Sequence, residues 1–337
     1  MIDIIVAGGG PAGLATAIHA ALAGMDVVVV EPRATPVDKA CGEGLMPGGV
    51  AALRAMGVEV GGHPLLGIDY VQAATRARAR FGGASGRGVR RTALHAALSA
   101  RAAELGVPVV TGRITRVRQD TRGVEAGGLR ARWLVAADGL HSPLRQSLRL
   151  GLRDPRPHRY GLRRHYHVAP WSDFVEVHWS GRAEAYVTPV GDDLVGVAVL
   201  SAERRHYDEH LAAFPDLRRR LTGPAATPVK GAGPLRQRVR SRVAGRVLLV
   251  GDAAGYTDAI TGEGVSLAAL SAQALVGCLA AGRPQDYERA WRRLSRTHRL
   301  LTGALLGVAR SPCAARLVVP AAARLPALFT TVVRTLA

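Results

Sequence analysis

The sequence predicts an α/β protein in which a Rossmann-like nucleotide-binding domain is interleaved with an antiparallel β-sheet domain and followed by a helical C-terminus. An apolar strand, a glycine-rich loop and a helix open the chain over residues 2–24. Apolar and polar residues alternate over 160–200, which is the period of antiparallel strands. After another buried-type strand at 247–250, apolar helical segments continue to the end of the chain.

Composition limits the class of protein. The 337 residues are enough for about two domains with a sizeable core, and contents of 48% hydrophobic and 21% charged residues argue against a disordered or fibrous chain. Cys41, Cys278 and Cys313 are widely spaced and form no CxxC pair, so they indicate neither a disulfide framework nor a zinc ribbon. Since the first strand begins at Ile2 and leaves no room for a signal peptide, we expect a cytoplasmic location.

The net charge of +19 raises the question of nucleic-acid binding. Lysine occurs only at Lys39 and Lys230, and the other 43 of the 45 basic residues are scattered arginines. Aromatic residues make up 4% of the chain and no nucleic-acid recognition motif is present. We expect no nucleic-acid partner, but an arginine-rich surface with affinity for anionic substrates or membranes.

The domains are predicted to interleave, because the chain contains no repeat and no low-complexity linker. The predicted elements are, in order, a strand over 2–7, a helix over 12–24, a strand over 27–30, a helix over 47–56, a strand pair over 68–81, a helix over 92–105, strands over 109–117 and 133–137, the alternating strands over 160–200, a strand over 247–250, a helix over 263–279, and apolar helices broken by Pro312, Pro320 and Pro326. The nucleotide-binding domain then takes residues 1–67, 85–150 and 235–283, the sheet domain 68–84 and 151–234, and the C-terminal helical region 284–337.

Residues 8–13 match the phosphate-binding pattern G-x-G-x-x-G between a strand and a helix. Gly8 permits a tight turn, Gly10 lets the backbone approach a pyrophosphate, and Gly13 lets the helix pack on the strand. Glu31 ends the second strand, where a carboxylate can accept hydrogen bonds from both hydroxyls of a ribose. Because this carboxylate would repel a 2′-phosphate, the pattern favours FAD or NAD over NADP.

Two further segments follow strands and narrow the choice of cofactor. Residues 135–145 read VAADGLHSPLR, and residues 249–255 read LVGDAAG. In order and spacing these segments resemble the flavoprotein superfamily of para-hydroxybenzoate hydroxylase, which includes group A aromatic hydroxylases, flavin halogenases and geranylgeranyl reductases. The resemblance covers roughly the whole chain and implies a Rossmann-like FAD-binding domain of the GR2 type.

The resemblance also implies roles for individual residues. Asp138 would lie near the pyrophosphate, Asp252 would bind the ribityl chain, and Arg91 at a helix start would contact FAD. Residues 261–264 (TGEG) precede an apolar helix, whose free amides could face the flavin and stabilise negative charge on it. The full set predicted to bind FAD is Gly8, Gly10, Ala12, Gly13, Glu31, Arg33, Arg91, Asp138, Gly139, Asp252, Gly262 and Gly264.

The loop Ala40–Leu45 (ACGEGL) resembles most closely the geranylgeranyl reductase branch, where a cysteine-glycine-glutamate loop lies near the flavin. Cys41 and Glu43 are therefore the candidate catalytic residues. Cys41 could contact substrate or carry a proton, or could be a small packing residue. Glu43 could donate a proton if buried, or could be an ordinary exposed loop glutamate.

The antiparallel region is predicted to supply the substrate cavity. His178, Trp179 and Tyr186 lie on its strands and are the candidate substrate contacts. His165 and His167 would share a strand face, but no third ligand accompanies them, so we predict no metal site. The segment 300–337 is apolar but interrupted by arginines, so it cannot span a bilayer; its helices could roof the cavity or lie on a membrane surface.

These features predict an FAD-dependent oxidoreductase with a lipophilic isoprenoid, aromatic or polyketide-like substrate. The reduced flavin could react in two ways. It could transfer a hydride to a double bond or quinone-like acceptor, or it could react with oxygen and insert an oxygen atom into the substrate, as in a group A aromatic monooxygenase of secondary metabolism. Only one dinucleotide fingerprint is visible, so NADH or NADPH would dock transiently or a partner protein would donate electrons. A halogenase is disfavoured because its W-x-W-x-x-I signature is absent, and a non-catalytic flavoprotein would show no turnover.

Overall fold

The computed structural model describes residues 1–337 and confirms the predicted α/β class. The strands are β1 (Ile2–Ala7), β2 (Val27–Glu31), β3 (Gly44–Leu45), β4 (His63–Leu65), β5 (Gly67–Gln72), β6 (Thr75–Arg80), β7 (Gly86–Gly88), β8 (Val109–Thr111), β9 (Arg118–Gln119), β10 (Val124–Ala126), β11 (Leu129–Ala136), β12 (Gly151–Leu152), β13 (Tyr160–His167), β14 (Phe174–Trp179), β15 (Ala183–Pro189), β16 (Leu194–Ser201), β17 (Lys230–Ala232), β18 (Arg238–Val239), β19 (Val243–Ala244) and β20 (Val247–Leu249). The helices are α1 (Pro11–Leu22), α2 (Pro47–Arg54), α3 (Arg91–Glu104), α4 (Pro143–Ser147), α5 (Tyr207–Leu211), α6 (Pro215–Arg220), α7 (Gly264–Ala280), α8 (Asp286–Ala309), α9 (Pro312–Ala315), α10 (Val318–Arg324) and α11 (Pro326–Leu336), with a 3₁₀ turn at Gly251–Ala254.

A largely parallel sheet forms the nucleotide-binding region. Its main path runs β19-β20-β11-β1-β2-β8, with β10 and β9 added beside β11. Strand β1 lies between β2 and β11 and runs parallel to both. The loops that follow β1, β2, β11 and β20 therefore all leave from the same edge of the sheet, which is where such folds bind nucleotides.

Helices α1, α3 and α7 cover this sheet. Helix α1 begins at Pro11, whose fixed φ suits the first helical position, and the chain turns away at Gly24 with φ +72°. The run Val27–Val30 is buried throughout, as a central parallel strand requires. A core of 47 buried residues joins the sheet to these helices, so the loops at its edge start from rigid elements.

A second sheet has the order β17-β13-β16-β15-β14-β5-β6. The prediction of an antiparallel sheet is confirmed for all its pairs except β14 and β5, which run parallel. One face packs against the C-terminal helices through a cluster of 16 buried residues. The other face packs against α5 and α6 through a cluster of 11.

Two local predictions are wrong. The strand predicted over 109–117 ends at Thr111, and the polar residues after it are exposed. Pro320 does not break a helix, because it is the third residue of α10, where the backbone N–H has no intrahelical acceptor. No single helix is long and apolar enough to cross a bilayer, although Asp286–Ala309 and Pro312–Arg324, bent by 108°, meet the length and composition requirement as a pair.

Candidate active site

The phosphate loop is closed tightly against the neighbouring strand. Gly8 has φ +111°, and a Cβ on it would lie 2.6 Å from the carbonyl oxygen of Ala137. A Cβ on Gly13 would lie 1.8 Å from the carbonyl oxygen of Gly8. A Cβ on Gly10, by contrast, would meet only the Arg91 guanidinium at 4.0 Å. The loop therefore leaves room for an anion at Gly10, at the start of α1, as the sequence pattern predicts.

Glu31 is held as a buried carboxylate beside this loop. It accepts hydrogen bonds from the Gly9 backbone N–H at 2.7 Å and from Arg33 Nε at 2.7 Å. Burial raises the pKa of Glu31, but the hydrogen bonds from Arg33 and Gly9 outweigh burial and hold the pKa below its ordinary value. Glu31 is thus ionised where a ribose would approach the end of β2.

Asp138 and Asp252 begin the loops after β11 and β20. Asp138 Oδ2 accepts from the Leu144 backbone N–H at 3.0 Å, and Oδ1 is buried without a partner. Burial raises the pKa of Asp252, and Lys39 and Arg91 oppose that rise. Both aspartates line the same cavity as Lys39 and Arg91, and Arg91 Nε is also buried without a partner.

This donor set fits FAD. The cationic side chains of Arg33, Lys39 and Arg91 line one end of the cavity together with Gly10, where they can compensate the charge of a pyrophosphate. The orphaned carboxylate oxygen of Asp138 and the carboxylate of Asp252 can accept from hydroxyls. Buried hydrogen-bond donors and acceptors without partners cost free energy, unless a bound ligand supplies the missing hydrogen bonds.

The start of α7 also faces the cavity. Gly262 has φ +71°, and Gly262, Gly264 and Val265 line the cavity wall. Glu263 does not cap the helix, because its carboxylate turns away to His298. The first amides of α7 therefore keep the positive end of the helix dipole free for an anionic group in the cavity.

The Cys41 loop lies inside the cavity wall. The Cys41 sulfur accepts from the Glu43 backbone N–H at 3.4 Å, and burial raises the pKa of the thiol. Glu43 is buried, with a backbone φ of +59°. Its Oε1 accepts from the Arg91 backbone N–H at 2.8 Å, and its Oε2 lies 2.5 Å from His165 Nε2. Glu43 is thus buried, with a hydrogen-bond partner at each oxygen, so the alternative of an ordinary exposed loop glutamate is wrong.

The hydrogen-bond partners of His165 indicate its tautomer. Arg163 Nη1, which can only donate, lies 2.9 Å from His165 Nδ1. The ring proton therefore resides on Nε2 and is donated to Glu43. His167 is exposed, so the two histidines do not converge on a common ligand. His165 instead anchors the Cys41 loop to strand β13.

Only one of the three predicted substrate residues lines the cavity. Tyr186 lines the cavity and donates its hydroxyl to the Ile260 carbonyl at 3.0 Å. His178 is on the opposite face of β14, paired with Glu176 at 3.0 Å, so it is not a substrate contact. Trp179 lies behind the wall, with its ring 5.5 Å from that of Tyr70, and does not line the cavity either.

Several residues with structural roles in the site were not predicted. Buried Arg145 donates to the carbonyls of Leu140 at 2.7 Å and Ala253 at 3.1 Å, and thereby joins the loops after β11 and β20. Arg145 is the last residue of the 135–145 segment, so the motif itself indicates that this position belongs to the site. His95 lies 2.9 Å from the carbonyl oxygen of Gly9, a contact that helical spacing alone does not reveal.

One continuous cavity of about 760 Å³ connects these features. At one end it is polar, with the residues described above. At the other end, every lining residue between positions 301 and 336 is Ala, Val, Leu or Phe. The C-terminal helices therefore cover the cavity, as one of the two sequence interpretations expected.

Comparison with known proteins decides the family. Residues 1–283 match the family model described as FAD binding domain. The chain belongs to this FAD-binding domain family. It is similar to the menaquinone reductase of Mycolicibacterium smegmatis (29% identity over 88% of this chain and 80% of the relative). It is also similar to digeranylgeranylglycerophospholipid reductase 1 of Methanothermobacter thermautotrophicus (28% identity, 89% and 82%).

Solved structures share the fold of this chain. The flavin-dependent brominase Bmp2 superposes with a TM-score of 0.84 over 99% of this chain and 93% of that one, at 19% identity. A flavoprotein/dehydrogenase from Cytophaga hutchinsonii gives 0.76 over 99% and 97%, at 18% identity. The predicted superfamily, the FAD cofactor and the assignment as an FAD-dependent oxidoreductase are confirmed.

The carboxylate of Asp252 gives a first test of the FAD site. Asp252→Ala is expected to weaken FAD binding roughly ten- to a hundredfold, because a hydroxyl of the ligand loses a charged acceptor worth about 1.5–3 kcal/mol. The apoprotein should not lose stability, since burial of this carboxylate is itself unfavourable. Titration calorimetry with FAD and urea unfolding of the apoprotein measure the two quantities.

Asp192→Ala is the matched control, since Asp192 is exposed in the turn between β15 and β16. It should keep the wild-type FAD affinity. An Asp252→Ala variant that binds FAD as tightly as this control contradicts the assignment.

Proposed function

We propose that this FAD-dependent oxidoreductase reduces a carbon–carbon double bond in a lipophilic isoprenoid substrate. The observation that carries the proposal is the apolar end of the cavity, where residues 301–336 contribute only Ala, Val, Leu and Phe. An apolar chain buried there gains transfer free energy without leaving a polar group unpaired. A hydrophilic substrate would find no polar side chains among the residues that the C-terminal helices contribute to that end.

The relatives support the same chemistry. Their names specify menaquinone, digeranylgeranylglycerophospholipid and geranylgeranyl diphosphate as compounds that are reduced. All three compounds carry isoprenoid chains. We infer the same substrate class for this chain.

Different residues would bind FAD, stabilise its reduced form and exclude water. Gly10, Arg33, Lys39 and Arg91 would hold the pyrophosphate of FAD, and Asp252 its ribityl hydroxyls. When bound and reduced, FAD supplies the hydride. The start of α7 would favour the negative charge of the reduced cofactor. The apolar walls exclude water from the reacting carbons.

Reduction of the double bond adds a hydride to one carbon and a proton to the other. We assign the proton to Cys41, which lines the cavity in the loop that resembles the geranylgeranyl reductases, and burial raises the pKa of its thiol, which keeps it protonated at neutral pH. The thiolate left behind would be stabilised by the Glu43 backbone N–H and by the charge of Arg91. Glu43 and His165 position this loop through their hydrogen bonds.

An anaerobic single-turnover experiment tests the proposal. The FAD-loaded enzyme is reduced with dithionite and mixed with a detergent-solubilised isoprenoid quinone or geranylgeranyl lipid. Reoxidation of FAD together with a product that has gained H₂ supports the proposal. Reaction only in air, with a product that has gained one oxygen atom, supports monooxygenation instead. Repeating the reduction step with NADH and NADPH shows whether either serves as the donor.

Cys41→Ser tests the proton-donor role. We expect FAD content to stay near wild type, because no pyrophosphate or ribityl contact changes, and the single-turnover rate to fall about 10²-fold, the lower range for loss of a general acid. Cys278→Ser, a half-buried cysteine of α7 outside the cavity, is the control and should react at the wild-type rate. Equal rates for the two variants refute the role of Cys41.

A further inference from the structure

The C-terminal helices expose large apolar side chains to solvent. Leu300, Leu317 and Leu328 have 60–64% of their surface exposed, and Leu325 has 54%. Isolated exposed leucines are common, but here they recur over the C-terminal helices from α8 to α11. We call these four leucines the C-terminal leucine patch.

Two of these leucines also belong to the cavity. Leu325 and Leu328 line its apolar end while remaining more than half exposed, and Val308, 38% exposed, does the same from α8. A residue that both lines a cavity and meets solvent marks its mouth. The apolar end of the cavity therefore opens beside Leu325 and Leu328.

Beyond Glu288, the charged side chains of the C-terminal helices are of one sign. After Glu288 the chain has no Asp or Glu, and it has nine arginines. They are Arg289, Arg292, Arg293, Arg296, Arg299, Arg310, Arg316, Arg324 and Arg334, all exposed. Only Arg292 forms an ion pair, with Glu288. The other eight guanidinium groups form no ion pair, so the helices that carry the leucines have an excess of positive charge.

We propose that the C-terminal helices dock on the surface of a bilayer containing anionic lipids, with the cavity mouth facing the lipid. Exposed leucines insert at the boundary of the acyl chains, and arginines pair with phosphate headgroups. A second copy of this chain is a poor occupant, because two such faces carry the same charge. Docking is independent of the proposed substrate; passage of an isoprenoid from the bilayer into the mouth rests on the proposed function.

Vesicle binding without substrate tests the docking. FAD-loaded protein is sedimented with phosphatidylglycerol/phosphatidylcholine vesicles and with phosphatidylcholine vesicles, at low and high salt. We expect binding to the anionic vesicles that weakens with salt, and much weaker binding to the neutral ones. Absence of binding to either, or equal binding to both, overturns the proposal.

Matched variants locate the surface. Arg310→Gln/Arg316→Gln/Arg324→Gln should weaken anionic-vesicle binding about a hundredfold, since each basic residue at the surface contributes roughly fivefold. Arg113→Gln/Arg116→Gln/Arg118→Gln removes three exposed, unpaired arginines near β8 and should retain wild-type binding. Equal losses in the two variants would indicate nonspecific attraction and overturn the proposal.

Leu300→Gln/Leu317→Gln tests the apolar contribution at positions outside the cavity lining. It should weaken binding at high salt more than at low salt, with FAD content and circular dichroism unchanged. Light scattering that shows stable dimers lost in this variant, without vesicle binding in the wild type, would assign the face to a second copy. Failure of isoprenoid reduction with intact vesicle binding would overturn only the proposed function.

Discussion

Gly13→Ala is expected to abolish FAD binding at micromolar cofactor. The added Cβ would lie 1.8 Å from the Gly8 carbonyl oxygen and 3.2 Å from Ala137 Cβ, so the first turn of α1 and the loop must separate. Gly8 itself is fixed by a hydrogen bond to the Val30 carbonyl and by φ +111°. Overpacking of this kind costs about 1–3 kcal/mol, which we expect to appear as lost stability, while displaced loop amides lose the pyrophosphate.

Gly277→Ala is the control for this substitution. Gly277 lies inside α7, and a Cβ on it would meet nothing within 4 Å. Replacing glycine by alanine there should raise the free energy of unfolding by roughly 0.5–1 kcal/mol and leave FAD binding unchanged. Flavin absorbance after gel filtration and urea unfolding distinguish the two. A Gly13→Ala protein that retains stoichiometric FAD would show that the loop tolerates the separation.

Some of the site could be predicted because its geometry is local. The phosphate loop places Gly8, Gly10 and Gly13 by the conformation of six consecutive residues. Asp138 and Asp252 follow strands whose carboxyl ends share one sheet edge, so their approach follows from the order of parallel strands. These are the features that the sequence located correctly relative to the cavity.

The substrate wall could not be predicted in the same way. His178 and Trp179 are adjacent on β14, and adjacent strand residues point to opposite faces, so both could not line one wall. Alternation alone does not reveal which face of a sheet meets the cavity. That depends on where the C-terminal helices pack, which is a contact between distant parts of the chain.

The contact of Glu43 with His165 joins residues 122 positions apart, and no spacing rule indicates it. Its consequence is that the carboxylate serves as an acceptor for two fixed donors, the Arg91 backbone N–H and His165 Nε2–H. His165 cannot reverse its tautomer to accommodate a new donor, because Arg163 donates to its Nδ1. The loop that carries Cys41 therefore depends on an acceptor at both oxygens of residue 43.

Glu43→Gln should consequently be severe although it keeps the size and shape of the side chain. The amide offers one acceptor, so its NH₂ must face either Arg91 N–H or His165 Nε2–H, and a buried donor is left unsatisfied. Losing a charged hydrogen bond costs about 1.5–3 kcal/mol, so we expect the free energy of unfolding to fall by about 3 kcal/mol. Glu59→Gln, at a side chain 76% exposed and paired only with Arg54, should change the free energy of unfolding by less than about 0.5 kcal/mol.

The loop that carries Cys41 should also loosen in Glu43→Gln. Alkylation of Cys41, measured by peptide mass spectrometry, should therefore be faster in Glu43→Gln than in either wild type or Glu59→Gln. If both glutamine variants unfold at the same urea concentration and label Cys41 at the same rate, the Glu43–His165 contact does not hold this loop.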